Sequence, residues 1–249
     1  MKKILSLILC AALCFTLALS LTSCGYDGKL VVATSPDFPP FENLVDGEVV
    51  GIEVEIMEKI CDELNYELVF EQIIFDSVLP GIEAGKYDCG MSGITVTPER
   101  AESVLFTDAY YVAAQAIVVS ADSSIESKAD LAGKKVSVQL GTTADDFCNK
   151  NGYQVSAFES NGDAKLALTE GRVDAWVVDD LTAEQMCAGD ESVVILDDKM
   201  TEEPYAFAFN FEDEALVEKI NEILNKLIED GTIASIFEKY GEDYVAPAN

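Results

Sequence analysis

The hydrophobic pattern begins with two lysines, Lys2 and Lys3, followed by an apolar run over residues 4–19. That run is shorter than the roughly 20 residues a membrane span needs. The order of charged, apolar and then small residues predicts a secretion signal over residues 1–23. Beyond it the pattern changes. Residues 30–34 (LVVAT) form a short apolar run without polar alternation, as expected of a strand buried on both faces. Over residues 51–64, Ile52, Ile56, Ile60 and Leu64 recur at helical spacing with acids between them. A strand over 67–72, a short helix over 76–84 and a strand over 87–91 follow. Alternating strands and helices predict βαβ units and a mostly parallel sheet.

A second α/β set starts at Lys135. Strands are predicted over 136–139, 153–158 and 173–178, with helices over 143–150, 163–169 and 181–186. Two β-like runs flank this set, residues 111–120 and 204–210. They read as two crossings, by which the chain leaves a first lobe, builds a second and returns. The closing helices, over 213–228 and 233–239, then belong to the first lobe. The expected organisation is a two-lobed α/β protein: residues 30–111 and 205–249 in lobe 1, residues 112–204 in lobe 2.

Composition narrows the function. The formal charge is −30, and loss of residues 1–23 with their two lysines makes it −32. So acidic a chain repels nucleic acid, and no basic, aromatic-interleaved stripe offsets this. There is no histidine, which excludes histidine-dependent triads and most zinc sites. Of the seven cysteines, Cys10 and Cys14 fall in the leader. Cys61, Cys89, Cys148 and Cys187 lack the close pairing of a metal site and read as small buried residues rather than disulfides. No cofactor or metal is expected.

Ligands of open α/β sheets collect beyond the carboxyl ends of the strands. After the first strand, Ser35-Pro36-Asp37-Phe38-Pro39-Pro40-Phe41-Glu42 is stiffened by three prolines and carries two phenylalanines three apart without a helix. Phe38 suits the wall of a cleft, and Phe41 suits either that wall or the core. Phe75, ending the next strand, suits the opposing wall or the core. After the third strand come Ser92, Gly93 and Thr95, then Thr97-Pro98, a helix start that puts Arg100 near the positive end of a helix dipole. Arg100 is one of only two arginines. Its fork fits a carboxylate, and the hydroxyls and close backbone around it describe an anion site; a surface pairing with Glu99 or Glu102 is the other reading. In the second lobe Gly141, Thr142 and Thr143 open a helix. Asp179 and Asp180 precede another. One acid caps it, and the other, placed at Asp179, faces the cleft for an ammonium or serves as a second N-terminal acid. Lobe 1 thus offers a cation and lobe 2 an anion, a match for a small zwitterion.

In order along the chain, VVATSPDFPPFE, GIEVEIMEKI, GKYDCGMSGITVTPER, VQLGTT and GRVDAWVVDD resemble the polar amino-acid branch of the type-II periplasmic-binding-protein fold, the solute receptors of ABC importers. The resemblance covers nearly the whole mature chain. It implies that Arg100 clamps a ligand α-carboxylate with Thr95 and Thr143, that Asp179 takes the α-ammonium with the backbone of Gly93, and that Phe38 and Phe75 sandwich the side chain. Ser92 joins the donors, Ser35 is a further candidate contact, and Gln139 helps define the ligand's far end. Some relatives that take basic amino acids or glutamine carry an acid at the position of Ser35. A serine there argues against a basic ligand unless Asp37 or Glu42 substitutes. Leu21-Thr22-Ser23-Cys24 resembles the lipobox of bacterial lipoproteins, implying a lipid on Cys24, a linker over 24–29 and an anchor on the outer face of a membrane. The expected partners are an amino acid and a membrane permease, with the protein a monomer. A prephenate-type dehydratase on the same scaffold, with a cleft acid donating a proton, is the alternative from another class. A sensory lobe reporting to a separate partner is a third.

Overall fold

The computed structural model describes residues 26–247; the leader and Cys24 lie outside them. The first sheet has the order β5-β1-β6-β15-β7. β1 (Gly28–Thr34) lies between β5 (Tyr66–Gln72) and β6 (Cys89–Gly90), parallel to both. β15 (Ala208–Phe209) enters antiparallel between β6 and β7 (Leu105–Phe106), so the returning chain is woven into the sheet it left 100 residues before.

α1 (Ile52–Leu64) connects β1 to β5 and buries Ile52, Ile56, Met57 and Ile60 against the sheet. It ends at Asn65, whose left-handed backbone (φ 54°) stops the helix without glycine. α2 (Val78–Glu83) packs Val78 and Ile82 beside β6. α6 (Glu214–Glu229) buries Val217, Ile220, Leu224 and Leu227, spaced three, four and three apart, and α7 (Thr232–Lys239) adds Ile233, Ile236 and Phe237. Both contribute to the apolar cluster that contains the buried face of α1.

Lobe 2 has the order β11-β10-β12-β9-β13. β10 (Lys135–Gln139) runs parallel to β11 (Gln154–Phe158) and β12 (Ala175–Asp179), while β9 (Gln115–Ser120) is antiparallel to β12 and to β13 (Val193–Ile195). α3 (Thr143–Lys150), α4 (Asn161–Thr169) and α5 (Asp180–Cys187) follow β10, β11 and β12 in turn. The solid apolar runs of the central strands become Val136, Val138, Ala175 and Val177, all buried in one cluster.

Three details depart from the expected pattern. The run over 111–120 is not one strand. It breaks at Ala114 into β8 (Tyr111–Ala113) and β9, and β8 pairs antiparallel with β14 (Glu203–Tyr205), so the two crossings lie hydrogen-bonded side by side. β2 (Asp37–Phe38), β3 (Glu42–Val45) and β4 (Glu48–Val50) form an unexpected meander, closed by Asp46-Gly47 with both residues at positive φ. An Asp-Gly pair between the runs Leu44-Val45 and Glu48-Val49-Val50 is the hairpin signal that marks it. Finally, Thr97-Pro98 opens only a single 3₁₀ turn, Arg100–Glu102, with the Thr97 hydroxyl accepting the Arg100 N–H at 3.1 Å. Without a helix, the dipole penalty expected at Arg100 does not arise. The four cysteines are free thiols, three of them buried.

Candidate functional site: the cleft between the lobes

The carboxyl ends of the parallel strands of both sheets point toward one another, and between them lies a cavity with about 420 Å³ of space not filled by atoms, part of it open to solvent. Phe38, Phe75, Ser92, Gly93, Thr95 and Arg100 line it from lobe 1. Lobe 2 supplies Gln139, Thr142, Thr143, Asn161 and Asp179, with Ala144, Val177 and Val178 as an apolar floor. Nine of the ten sequence-derived ligand residues therefore meet at one cavity, and Ser35 does not line it. The sequence reading missed Asn161, Thr142 and the floor. Thr142 is the N-cap of α3 and Asn161 the first residue of α4, and a serine or threonine cap after each strand is the signal that would have placed both helix starts in the cleft.

Arg100 crosses the cleft. Its Nη1 donates to the Thr95 carbonyl and its Nη2 to the Gly141 carbonyl of lobe 2, both at 3.0 Å. Its guanidinium carbon lies 5.7 Å from the Phe75 ring centroid, a cation–π placement that stiffens the fork. Neither Glu99 nor Glu102 forms an ion pair with it among the described residues. Burial draws its proton affinity down, opposed chiefly by Glu203; it remains a cation throughout the ordinary pH range.

Asp179 ends β12 at the N-cap position of α5, yet its side chain does not cap. Asp180 takes the local work instead, accepting the N–H groups of Leu181 and Ala114 and the Lys199 ammonium. Asp179 is left to face the cavity, with the Tyr205 hydroxyl donating to its Oδ2. Burial, then repulsion from Glu203, raises its carboxyl to about 7 against the partial compensation of Tyr205 and Arg100. A buried acid held so high is a group in need of a cation.

Gly93 holds φ at +54°, and a Cβ there would stand 2.5 Å from the Phe38 ring. Only glycine lets the backbone turn under that ring. Several expected ligand donors are already committed to the protein. The Ser92 hydroxyl donates to Glu42 and accepts the Ser35 N–H, the Gly93 N–H donates to Glu53, and the Thr143 hydroxyl donates to Glu203. For Thr143 the backbone N–H in the first turn of α3 is the group left for an anion. Ser35 turns its hydroxyl to Asp37 Oδ1 at 3.1 Å. Asp37 also receives the Asn161 N–H at 2.6 Å and Gln139 Nε2 at 3.3 Å. The acid absent at Ser35 thus stands two residues on, bridging to lobe 2.

The fold and the cleft define a two-lobed extracytoplasmic solute receptor, with the Arg100 guanidinium and the Asp179 carboxyl facing one cavity. The chain belongs to the bacterial extracellular solute-binding proteins, family 3, matched over residues 30–243. It is 31% identical to the arginine-binding extracellular protein ArtP of Bacillus subtilis, over 96% of this chain and 98% of that protein. It is 33% identical to a probable histidine-binding protein of Campylobacter jejuni, over 85% and 84%. Among solved structures, the arginine-bound truncated ArgBP of T. maritima is similar with a TM-score of 0.77 and 40% identity, covering 80% of this chain and 96% of that one. An ancestral arginine-binding protein bound to glutamine is similar with a TM-score of 0.82 and 36% identity, covering 87% and 99%. The protein is a substrate-binding component of amino-acid ABC transport, and the dehydratase alternative is not favoured.

Proposed function

We propose that the chain captures one free amino acid between its lobes, without catalysis, and hands it as a lipid-anchored monomer to a membrane permease. The observation that carries the site is the opposed pair Arg100 and Asp179 on one small cavity. Arg100 takes the α-carboxylate with Thr95 and the Thr143 N–H, Asp179 takes the α-ammonium beside the Gly93 backbone, and the side chain lies between Phe38 and Phe75 toward Gln139 and Asn161. Ser92, in the cavity wall, holds the Ser35 backbone, and Ser35, behind that wall, holds Asp37. Residues 30–111 and 205–249 serve as one lobe and 112–204 as the other, with β8 and β14 as the hinge. A basic side chain, such as the arginine in the names of several relatives, fits this arrangement because Asp37 supplies the acid that Ser35 does not. The anchor would be a lipid on Cys24.

Micromolar binding requires about −8 kcal/mol. Two charge-assisted contacts supply roughly 3–6 kcal/mol of this, and burial of the ligand side chain between the rings has to supply the remainder together with the ordering costs. Calorimetric titration of the purified protein with the common amino acids tests the reading. One or a few should bind, and Arg100→Ala should abolish that binding while leaving the thermal unfolding transition cooperative. Wild-type affinity in Arg100→Ala would refute the assignment.

A further inference from the structure

Beneath the lobe-1 wall of the cleft lie two glutamates that the binding scheme does not use, Glu42 at the start of β3 and Glu53 in the first turn of α1. Neither exposes any surface. Both oxygens of Glu53 are engaged, Oε1 by the Tyr110 hydroxyl and Oε2 by the Gly93 N–H at 3.1 Å. Glu42 Oε1 accepts the Ser92 hydroxyl at 3.0 Å, whereas its Oε2 is buried without a protein donor. The two carboxyl groups meet side chain to side chain. A buried carboxyl with one unpartnered oxygen, packed against a second buried carboxyl, is satisfied when the two share a proton.

We propose that Glu42 and Glu53 form one proton-sharing pair, the proton on Glu42, which positions Ser92 and Gly93 under the ligand. This rests on the receptor reading for the word ligand, but the pair itself does not. The titratable groups that face it, Asp37, Cys89 and Tyr110, are all acids. Burial, followed by the charge of Glu53, holds the Glu42 proton well above the ordinary carboxylate range, while the bond from Glu42 helps Glu53 stay ionised. Glu42 therefore donates, Glu53 accepts from three sides, and the Gly93 backbone and Ser92 hydroxyl are fixed as parts of one network. Removing the proton at alkaline pH would set two buried negative charges together and loosen the wall on which the ligand rests. Glu42 and Glu53 are positioning residues, since neither lines the cavity.

Infrared spectroscopy in heavy water gives the direct test. Wild type saturated with its amino acid at about pH 8, where Asp179 is ionised by its value of about 7 and by the ligand ammonium, should show a protonated-carboxyl C=O band. The band should be missing from Glu42→Gln. That variant, whose amide replaces the O–H donor, should keep affinity within about threefold at neutral pH, a cost of under 1 kcal/mol by RT ln 3. Glu42→Leu should lose binding. The wild-type to Glu42→Gln affinity ratio, in which titration of the ligand's own amine cancels, should fall as pH rises. Absence of the band from wild type overturns the pair whether or not Glu42→Gln folds, and a ratio constant with pH overturns the positioning role. A protein that shows the band without ligand and binds no amino acid overturns the receptor reading and with it the positioning, while the shared proton stands.

Discussion

Asp179 must be ionised to hold an ammonium, yet without ligand its carboxyl sits at about 7. Binding below that value therefore has to expel a proton, and affinity should fall by up to tenfold per pH unit as the solution is made more acid than about 7. The stability of the ligand-free protein runs the other way. A carboxyl raised above its unfolded value stabilises most at pH below that value, and the contribution is lost as pH rises through about 7. Asp179→Asn should remove both dependences and weaken binding at pH 8 by roughly ten- to a hundredfold, equivalent to about 1.5–3 kcal/mol. Titration calorimetry between about pH 5.5 and 8 reads the slope; an affinity in the variant that still falls in acid would place the titrating group elsewhere. At this scale the two charged residues were legible because scarcity and position single them out: Arg100 is one of two arginines, and an acid pair before a helix leaves one spare. The inward commitment of the Ser92 and Thr143 hydroxyls was not legible. It depends on Glu42 and Glu203, which reach those hydroxyls from 50 and 60 residues away in sequence.

At the scale of elements, the buried strands and amphipathic helices could be read from periodicity, because a strand covered on both faces has to be apolar throughout and α6 has to repeat its buried face each turn. The 3₁₀ turn at Arg100 and the break at Ala114 could not. The break goes with tertiary pairing, β8 joining β14 instead of the lobe-2 sheet. The N-terminus of α4 shows an element used across the lobes: the Asp37 carboxylate, from β2 in lobe 1, accepts its first N–H at 2.6 Å. A carboxylate at a helix N-terminus contributes about 0.3–1 kcal/mol, more when partly buried. Here that energy belongs only to the closed arrangement, so Asp37→Asn should populate the open form. It should weaken an uncharged amino acid by about two- to fivefold and a basic one by more. Small-angle scattering of the ligand-free variant should give a larger radius of gyration than wild type. An unchanged radius with unchanged affinity would show that Asp37 does not latch the lobes.

Across the whole molecule, two sheets carry opposite signs to one cavity, joined by two short hydrogen-bonded crossings. The chain leaves by β8 and returns by β14 before β15 re-enters the first sheet, so one pair of hydrogen-bonded strands carries both crossings. Trp176, the only tryptophan, is fully buried in lobe 2 and does not line the cavity, so its emission reports closure only through its surroundings. Heat of binding is the better readout. The measurement that bears most directly on the zwitterion clamp is a calorimetric comparison of the best-bound amino acid with its methyl ester and its N-acetyl derivative. Each derivative removes one charge and leaves the side chain intact. Each should bind at least about tenfold more weakly, in line with a lost charge-assisted contact of roughly 1.5–3 kcal/mol, the ester losing its hold on Arg100 and the amide its hold on Asp179. Equal affinities for parent, ester and amide would contradict the clamp.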